Sequence, residues 1–250
     1  MSNITLIMTR KPLEEVDYYG KNGRWGRMIV VRGGKVLSGT PTSVANLPDF
    51  FSTNPFGQAL GALTGLSPLS AIANAASHGL AEGILNHAGL GRSFVKIGHT
   101  GICLQTLGGD VEVVAAFDTL ERFRTNSGNG YYVQLKPRPE KPYEIRMDIS
   151  RNVKGYTDEE GKVHEGVNKT GQCLRVHGHN TKNGNGSNAG ILIHQAPHPG
   201  WLKGCIAPRE VNNKVANNEH GPSRRAMDTI FSLMGGFRDG RKADLLVMDW

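Results

Sequence analysis

Residues 190 to 206 read GILIHQAPHPGWLKGCI and place a histidine and a cysteine eleven positions apart, across a connection rich in proline and glycine. The apolar residues 191 to 193 predict a short buried strand that ends at His194, with the imidazole near the surface. Gly204 lets the chain turn tightly before Cys205. Because a thiol attacks as its thiolate, and imidazole is the usual base that generates it, this spacing predicts a catalytic pair.

The turn at Gly204 also suggests how negative charge would be stabilised when a thiolate attacks a carbonyl. Backbone N–H groups at such a turn would face the oxyanion, so no further side chain is needed. The alternative is that Cys205 packs as a small apolar side chain and that His194 is an ordinary polar residue at the end of a strand.

The segment just upstream offers a second group of polar side chains. Residues 173 to 179, CLRVHGH, predict a strand whose odd-numbered side chains share a polar face and whose even-numbered apolar side chains point into a core. Arg175 would hold a substrate carboxylate with its planar guanidinium. His177 or His179 would orient His194 or replace it as the base. A half-exposed strand with one solvated face explains the same residues.

Two more basic residues, Lys203 and Arg209, flank the cysteine turn. Together with Arg175 they would hold a carboxylate, or else they are solvated surface charges. A rival interpretation is a zinc site formed by His177, His179, His194 and Cys205, which are residue types that zinc prefers. These residues lack the short paired spacings of zinc motifs, so we expect neither a metal nor another cofactor.

The segment from residue 190 to residue 206 resembles the catalytic signature of the L,D-transpeptidase-like cysteine enzymes of bacterial cell-wall metabolism. In that family a strand-borne histidine precedes a Ser-His-Gly-Cys turn. The segment is most similar to the shorter form found in some type VI secretion effectors, where an apolar strand ending in His leads into Gly-Cys-Ile. Leu202 and Lys203 stand where the family's turn has Ser and His, so the resemblance assigns the base to His194.

The resemblance implies a mainly β fold of antiparallel strands with peripheral helices, and an enzyme that acts on the peptide stems of peptidoglycan. Cys205 would attack a stem carbonyl and expel the terminal D-amino acid, while His194 moves the proton. Water as the acceptor gives L,D-carboxypeptidase activity, and an amine gives L,D-transpeptidase activity. The alternatives are a peptidoglycan cysteine endopeptidase or amidase, and a non-catalytic structural module of a phage or secretion machine.

Composition is that of a soluble globular protein, with 38% hydrophobic and 20% charged residues in a chain of 250. The formal net charge of +7 favours an anionic partner such as the bacterial wall. Basic residues are scattered, and Lys136, Arg138 and Lys141 are interleaved with prolines. No helix that reads nucleic acid is predicted, so we expect no nucleic-acid partner.

The first twenty residues contain a brief apolar stretch followed by acidic residues, which is not the pattern of a secretory signal. Combined with the resemblance to type VI effectors, this predicts an antibacterial toxin that is made in the cytoplasm and delivered to the periplasm of a target bacterium. An immunity protein and a component of the secretion machine would be its further partners.

We expect one catalytic domain over residues 1 to 250, with a helical, Ala- and Gly-rich insertion at about residues 47 to 93. Residues 50 to 81 contain no Asp, Glu, Lys or Arg, and glycines and Pro68 interrupt their apolar stretches. No stretch reaches the length of about 20 residues that a membrane-spanning helix needs. Stable membrane insertion is therefore not expected.

Local patterns predict the remaining elements. Glycine pairs at Gly33-Gly34 and at Gly108-Gly109 predict hairpin turns. Residues 150 to 170 predict an exposed loop or hairpin beside the site. After the cysteine turn, residues 208 to 217 predict one helix, and Pro222 predicts the start of a second that the glycines at 235 and 236 end. Residues 243 to 249 predict a closing strand.

Overall fold

The computed structural model of the protein describes residues 3–18, 21–43, 90–97, 100–122, 134–181, 190–211 and 220–248. The chain divides into two compact units, one of residues 1–32 and 112–250 and one of residues 33–111. The helical insertion predicted at about residues 47 to 93 lies outside the described residues up to residue 89. Its last residues, 90 to 93, belong to a strand and not to a helix.

Strands dominate the described part of the chain. In chain order the elements are β1 (Asn3–Tyr18), β2 (Lys21–Ser43), β3 (Leu90–Ile97), β4 (Thr100–Arg122), β5 (Tyr143–Ile149), α1 (Arg151–Lys154), β6 (Gly155–Thr157), β7 (Val163–Glu165), β8 (Gln172–His177), β9 (Leu192–Ile193), the 3₁₀ turn η1 (Pro199–Trp201), β10 (Ile206–Glu210), α2 (Gly221–Leu233) and β11 (Lys242–Met248). The prediction of a mainly β fold is confirmed.

In the first unit, eight of these strands pair in a closed, barrel-like ring. The order is β1, β2, β4, β10, β9, β8, β5 and β11, and β11 returns to β1. Most pairs with a defined register are antiparallel, as predicted, but β1 with β11 and β9 with β10 are parallel. The β9–β10 pair positions the predicted catalytic pair, because these are the strands that lead into His194 and out of Cys205.

The core of this unit follows the period of two expected of strands. Along β5 the buried and half-buried residues alternate. Helix α2 adds an apolar stripe to the same core. The buried side chains of that stripe are Ala226, Met227, Ile230 and Phe231. The predicted helix is confirmed, with Pro222 in its first turn and left-handed glycines at 235 and 236 after its end.

Neither glycine pair forms the predicted hairpin turn, because β2 and β4 run without interruption through them. Gly33 and Gly34 instead allow the backbone of β4 to approach β2 closely. A Cβ on Gly33 would lie 2.3 Å from the carbonyl oxygen of Asp110, and one on Gly34 would lie 2.1 Å from that of Gly109. Gly33, with φ of 137°, and Gly108, with φ of 83°, also adopt backbone conformations that favour glycine.

The helix predicted for residues 208 to 217 is also wrong where the structure describes it. Residues 206 to 210 form β10, which pairs with β9 on one side and with β4 on the other. Strand partners on both edges satisfy the backbone groups of this segment, so tertiary pairing overrides its weak helical pattern. Residues 212 to 219 lie outside the described residues.

The predicted hairpin beside the site is confirmed. After the single turn of α1, strands β6 and β7 pair antiparallel, with Gly155 opposite Glu165. Val153 and Val167, on either side of this hairpin, are buried in an apolar cluster with Cys173 and Leu192. The hairpin is thereby anchored next to the segment that precedes His194.

The second unit contains residues 33–43 of β2, residues 100–111 of β4 and all of β3. The strands lie in the order β2, β4, β3. Strands β3 and β4 pair antiparallel from Leu90 opposite Leu107 to Ile97 opposite Thr100. Ser93 ties this hairpin to the bend of β4, because its hydroxyl accepts a hydrogen bond from the Val111 amide at 3.1 Å. Among the residues that the structure describes, no helix combines the length and apolar character needed to cross a bilayer.

A buried ion pair joins β1 to β4 inside the first unit. Nε of Arg10 lies 2.8 Å from Oε2 of Glu121, and both side chains are almost fully buried. Nη2 of Arg10 also donates to the carbonyl of Leu135 at 2.6 Å. Removing one member of such a pair leaves an uncompensated charge in a medium of low polarity.

We therefore expect Glu121→Ala to lower the free energy of unfolding by about 3–5 kcal/mol, measured by urea denaturation. The matched control is Glu210→Ala, which removes an exposed ion pair with Arg225 and is expected to cost less than about 1 kcal/mol. Equal losses in the two variants would contradict a special role for the buried pair.

Candidate active site

The backbones that carry His194 and Cys205 are hydrogen-bonded neighbours. Ile193 in β9 pairs with Ile206 in β10, and the amide of His194 donates to the carbonyl of Ile206 at 3.0 Å. Both isoleucines point into the core of the first unit. Cys205, one residue before Ile206, points the other way and packs with the cluster that contains Leu192.

The thiol of Cys205 lies against the backbone that enters β9. Its Sγ is 3.9 Å from the carbonyl oxygen of Gly190. Burial raises the pKa of this thiol to about 11, while a hydrogen bond from the backbone of Leu192 and the charge of Arg175 act in the opposite direction. Cys205 therefore rests as a neutral thiol near pH 7, because the bond from Leu192 and the charge of Arg175 only partly offset the effect of burial.

The imidazole of His194 is held in one orientation by its own chain. Nδ1 lies 2.8 Å from the carbonyl oxygen of Gln195, which can accept only from a protonated nitrogen. The ring is 4% exposed, which corrects the expectation of a ring near the surface. Burial lowers the pKa of His194 to about 4, so the ring is neutral at pH 7 and Nε2 is left as the basic nitrogen.

The connection between the two residues is short and locally braced. Gly204 has φ of 92°, a conformation that favours glycine, as the predicted tight turn requires. Upstream, η1 begins after His198, whose Nδ1 accepts a hydrogen bond from the Gly200 amide at 3.1 Å. The chain thus reaches Cys205 through two tight turns and little free length.

Of the predicted substrate-binding residues, the structure brings Arg175 close to Cys205. Arg175 in β8 is in register with Leu192 in β9, and its charge lowers the pKa of Cys205. The guanidinium is also bonded to the carboxylate of Asp148. The guanidinium of Arg175 is half-exposed, so a substrate carboxylate would have access to it. That carboxylate would compete with Asp148, which already orients the guanidinium.

The other residues of the predicted polar face do not share one solvated strand face. Leu174 and Val176 point into the core, as predicted. Cys173 is fully buried, however, and β8 ends at His177. Gly178, with φ of 73°, then turns the chain and takes His179 off the strand face.

The pKa values of His177 and His179 are lowered, chiefly by burial. The charge of Arg146 adds to this effect at His177. The Nδ1 of His194 is bonded to a backbone carbonyl, so the predicted role of His177 or His179 in orienting that ring is taken by Gln195. Lys203 is exposed on the cysteine turn.

Arg209 does not lie where a substrate-binding residue was predicted. Its side chain is fully buried and donates to the carbonyl oxygens of Ala196, at 3.4 Å, and Pro197, at 2.9 Å. A guanidinium enclosed in this way is not offered to a substrate. It braces the start of the connection between His194 and Cys205, and this corrects its prediction as a carboxylate holder.

A buried hydroxyl completes the same brace. Ser223, in the first turn of α2, donates to the carbonyl of Pro208 at 2.7 Å and accepts from the amide of Ala196 at 3.0 Å. One side chain thereby joins the helix, β10 and the connection between the candidate catalytic residues. Nothing in the local pattern around Ser223 indicated this, because both partners are distant in sequence.

The zinc interpretation finds no support in the described part of the chain. No three His, Cys, Asp or Glu side chains lie together in a way that could hold a metal ion there. That part of the chain includes His177, His179, His194 and Cys205. They do not form the tetrahedral set that a structural zinc requires.

Comparisons with known proteins do not assign the chain to a family. No protein-family model, no curated protein and no solved structure matches the chain. The similarity of residues 190 to 206 to the L,D-transpeptidase signature stays an expectation based on that segment alone.

Substitution of Ser223 tests the brace. Ser223→Ala leaves the buried amide of Ala196 without its partner, so we expect a loss of about 1–3 kcal/mol in the free energy of unfolding. Ser232→Ala, on the exposed side of the same helix, is the control and should change stability by less than about 0.5 kcal/mol. The brace is refuted if thermal or urea unfolding shows no difference between the two.

The state of the thiol can be tested by its reaction with iodoacetamide. Because the pKa of Cys205 is raised to about 11, its thiolate fraction, and with it the alkylation rate, should rise about tenfold per pH unit between pH 7 and 10. Peptide-level mass spectrometry separates this site from the exposed Cys103 and the buried Cys173. A rate that levels off below pH 8 would contradict a neutral resting thiol.

Proposed function

We propose that the protein is a cysteine enzyme of peptidoglycan that removes or exchanges the terminal D-amino acid of peptide stems. Cys205 acts as the nucleophile and His194 as the proton carrier. The observation that carries the proposal is the parallel pairing of β9 and β10, which sets the two residues on adjacent backbones with Nε2 of His194 as the remaining basic nitrogen.

The neutral state of both groups suggests the order of events. As Sγ of Cys205 forms a bond to the carbonyl carbon of the scissile amide, Nε2 of His194 takes the thiol proton. The C–N bond then breaks, and His194 gives that proton to the departing amine. Water or the amine of another D-amino acid attacks the thioester, loses its proton to His194, and the proton returns to Sγ.

Backbone groups would stabilise the oxyanion of this reaction. The tight turn at Gly204, with φ of 92°, comes directly before Cys205, and its backbone amides are the groups we expect to face the oxyanion. Arg175, whose charge reaches Cys205, is suited to hold the carboxylate of the terminal D-amino acid. That carboxylate distinguishes the end of a stem from an internal peptide bond.

Mass spectrometry of tetrapeptide muropeptides, incubated with and without added D-methionine, tests the proposal. The parent protein should release the terminal D-alanine or exchange it for D-methionine. We expect Cys205→Ala to abolish both reactions, and His194→Gln to slow them by about 10²–10⁴-fold through loss of the base. Cys103→Ser, at an exposed thiol of the second unit, should react like the parent.

The products also separate the alternatives. Cleavage inside the stem or between stem and sugar, abolished by Cys205→Ala, would replace the proposal with an endopeptidase or amidase. Unchanged muropeptides with the parent protein would reject it in favour of a binding or structural role. Delivery to the periplasm and neutralisation by an immunity protein stay predictions.

A further inference from the structure

An open cleft of about 610 Å³ lies on the first unit, between α2 and the segment that follows the β6–β7 hairpin. This volume is within the range of roughly 300–1,000 Å³ typical of small-molecule sites. Its apolar lining includes the buried residues Val167, Met227 and Phe231. Its polar lining includes Lys154, Lys169, Gln195, His220, Arg224 and Asp228.

The cations of this cleft are not engaged elsewhere in the described structure. Lys154, Lys169 and Arg224 make no side-chain hydrogen bond or ion pair with another described residue. By contrast Arg225, the next residue on α2, forms a bidentate ion pair with Glu210. Three uncommitted cations opposite one carboxylate, that of Asp228, give the cleft a net positive charge that favours an anionic ligand.

A further polar atom at the cleft also lacks a partner. Nδ1 of His220, at the start of α2, is buried and has no hydrogen-bond partner among the described residues. The first turn of α2 contains no acidic residue. Its positive end therefore adds to the field of Arg224 and is not cancelled locally. An anion in the cleft would be attracted by Arg224 and by this end of the helix.

One residue links the cleft to the candidate active site. Gln195 lines the cleft, and its side-chain amide donates to the carbonyl of Val167. The main-chain carbonyl of the same residue holds Nδ1 of His194. A ligand in the cleft would therefore lie within one residue of the group that orients the base.

We propose that this cleft binds the carboxylates of an acidic peptide, with Lys154, Lys169 and Arg224 as the anion-holding groups and Asp228 as the partner of a peptide ammonium. The inference rests on the proposed function, on which the acidic peptide is the part of the peptidoglycan stem that lies away from the scissile bond. Binding energy gained there would position the stem at Cys205.

Isothermal titration of a disaccharide-tetrapeptide into the Cys205→Ala protein tests this binding without turnover. Charge reversal by Lys169→Glu with Arg224→Glu should weaken the Kd at least tenfold. The control is Lys141→Glu with Lys162→Glu, which makes the same change in net charge at exposed positions outside the cleft. Its Kd should stay within twofold. Thermal unfolding of each variant shows whether it is folded.

The ligand provides a second control. The same muropeptide with its carboxylates amidated should lose at least tenfold in affinity for the parent cleft, and its affinity should no longer differ between the two charge-reversed proteins. Equal binding by the acidic and the amidated peptide would overturn the proposal, as would equal weakening in both double variants. Displacement of the peptide by inorganic phosphate at micromolar concentration would assign the cleft to phosphate and also overturn it.

Failure of the cleft and failure of the proposed function give different results. If the parent protein processes the stem and the cleft variant has the same kcat/KM, the cleft proposal is wrong and the enzyme proposal stands. If peptide binding depends on the cleft but the parent protein leaves the stem intact, the cleft proposal stands and the enzyme proposal is wrong.

Discussion

The buried guanidinium of Arg209 is the constraint on which the candidate site depends. Its bonds to the carbonyls of Ala196 and Pro197 tie β10 to the first residues after His194. Ser223 adds α2 to the same network. These bonds act together with the β9–β10 pair and the two tight turns to hold the residues between His194 and Cys205. The separation of the candidate base and the candidate nucleophile is therefore set by polar bonds in the interior as well as by the sheet.

The same enclosure determines the electrostatics of the pair. Burial raises the pKa of Cys205 and lowers that of His194, so both groups are neutral where many cysteine enzymes use a thiolate and an imidazolium. A neutral pair has little reactivity until a carbonyl is in place, because the proton must move as the new bond forms. Under the proposed function, substrate positioning would contribute more to the rate than the resting nucleophilicity of the thiol, and the proposed binding cleft near the site would supply that positioning.

Local patterns predicted the elements whose side chains alternate or whose turns need glycine. The apolar run before His194, the inward side chains of β8 and the turn at Gly204 are of this kind. Contacts between residues that are distant in sequence could not be predicted from local patterns. The glycines at 33 and 34 accommodate another strand's backbone, and an arginine such as Arg209 looks like a surface residue until its partners are known. The cleft likewise unites residues from 154 to 228 that share no local pattern.

Cys173, buried beneath the site, has a chemical consequence of its own. Its pKa is raised to about 12, mainly by burial, so it remains a thiol under all ordinary conditions. Were Cys205 oxidised to a sulfenic acid, no neighbouring thiolate would be ready to convert it to a disulfide, and the lesion would persist. The main protection is that Cys205 itself rests as a thiol, since oxidants react with thiolates. Under the proposed function, an enzyme that works outside a reducing cytoplasm would gain durability from the same burial that keeps Cys205 a neutral thiol.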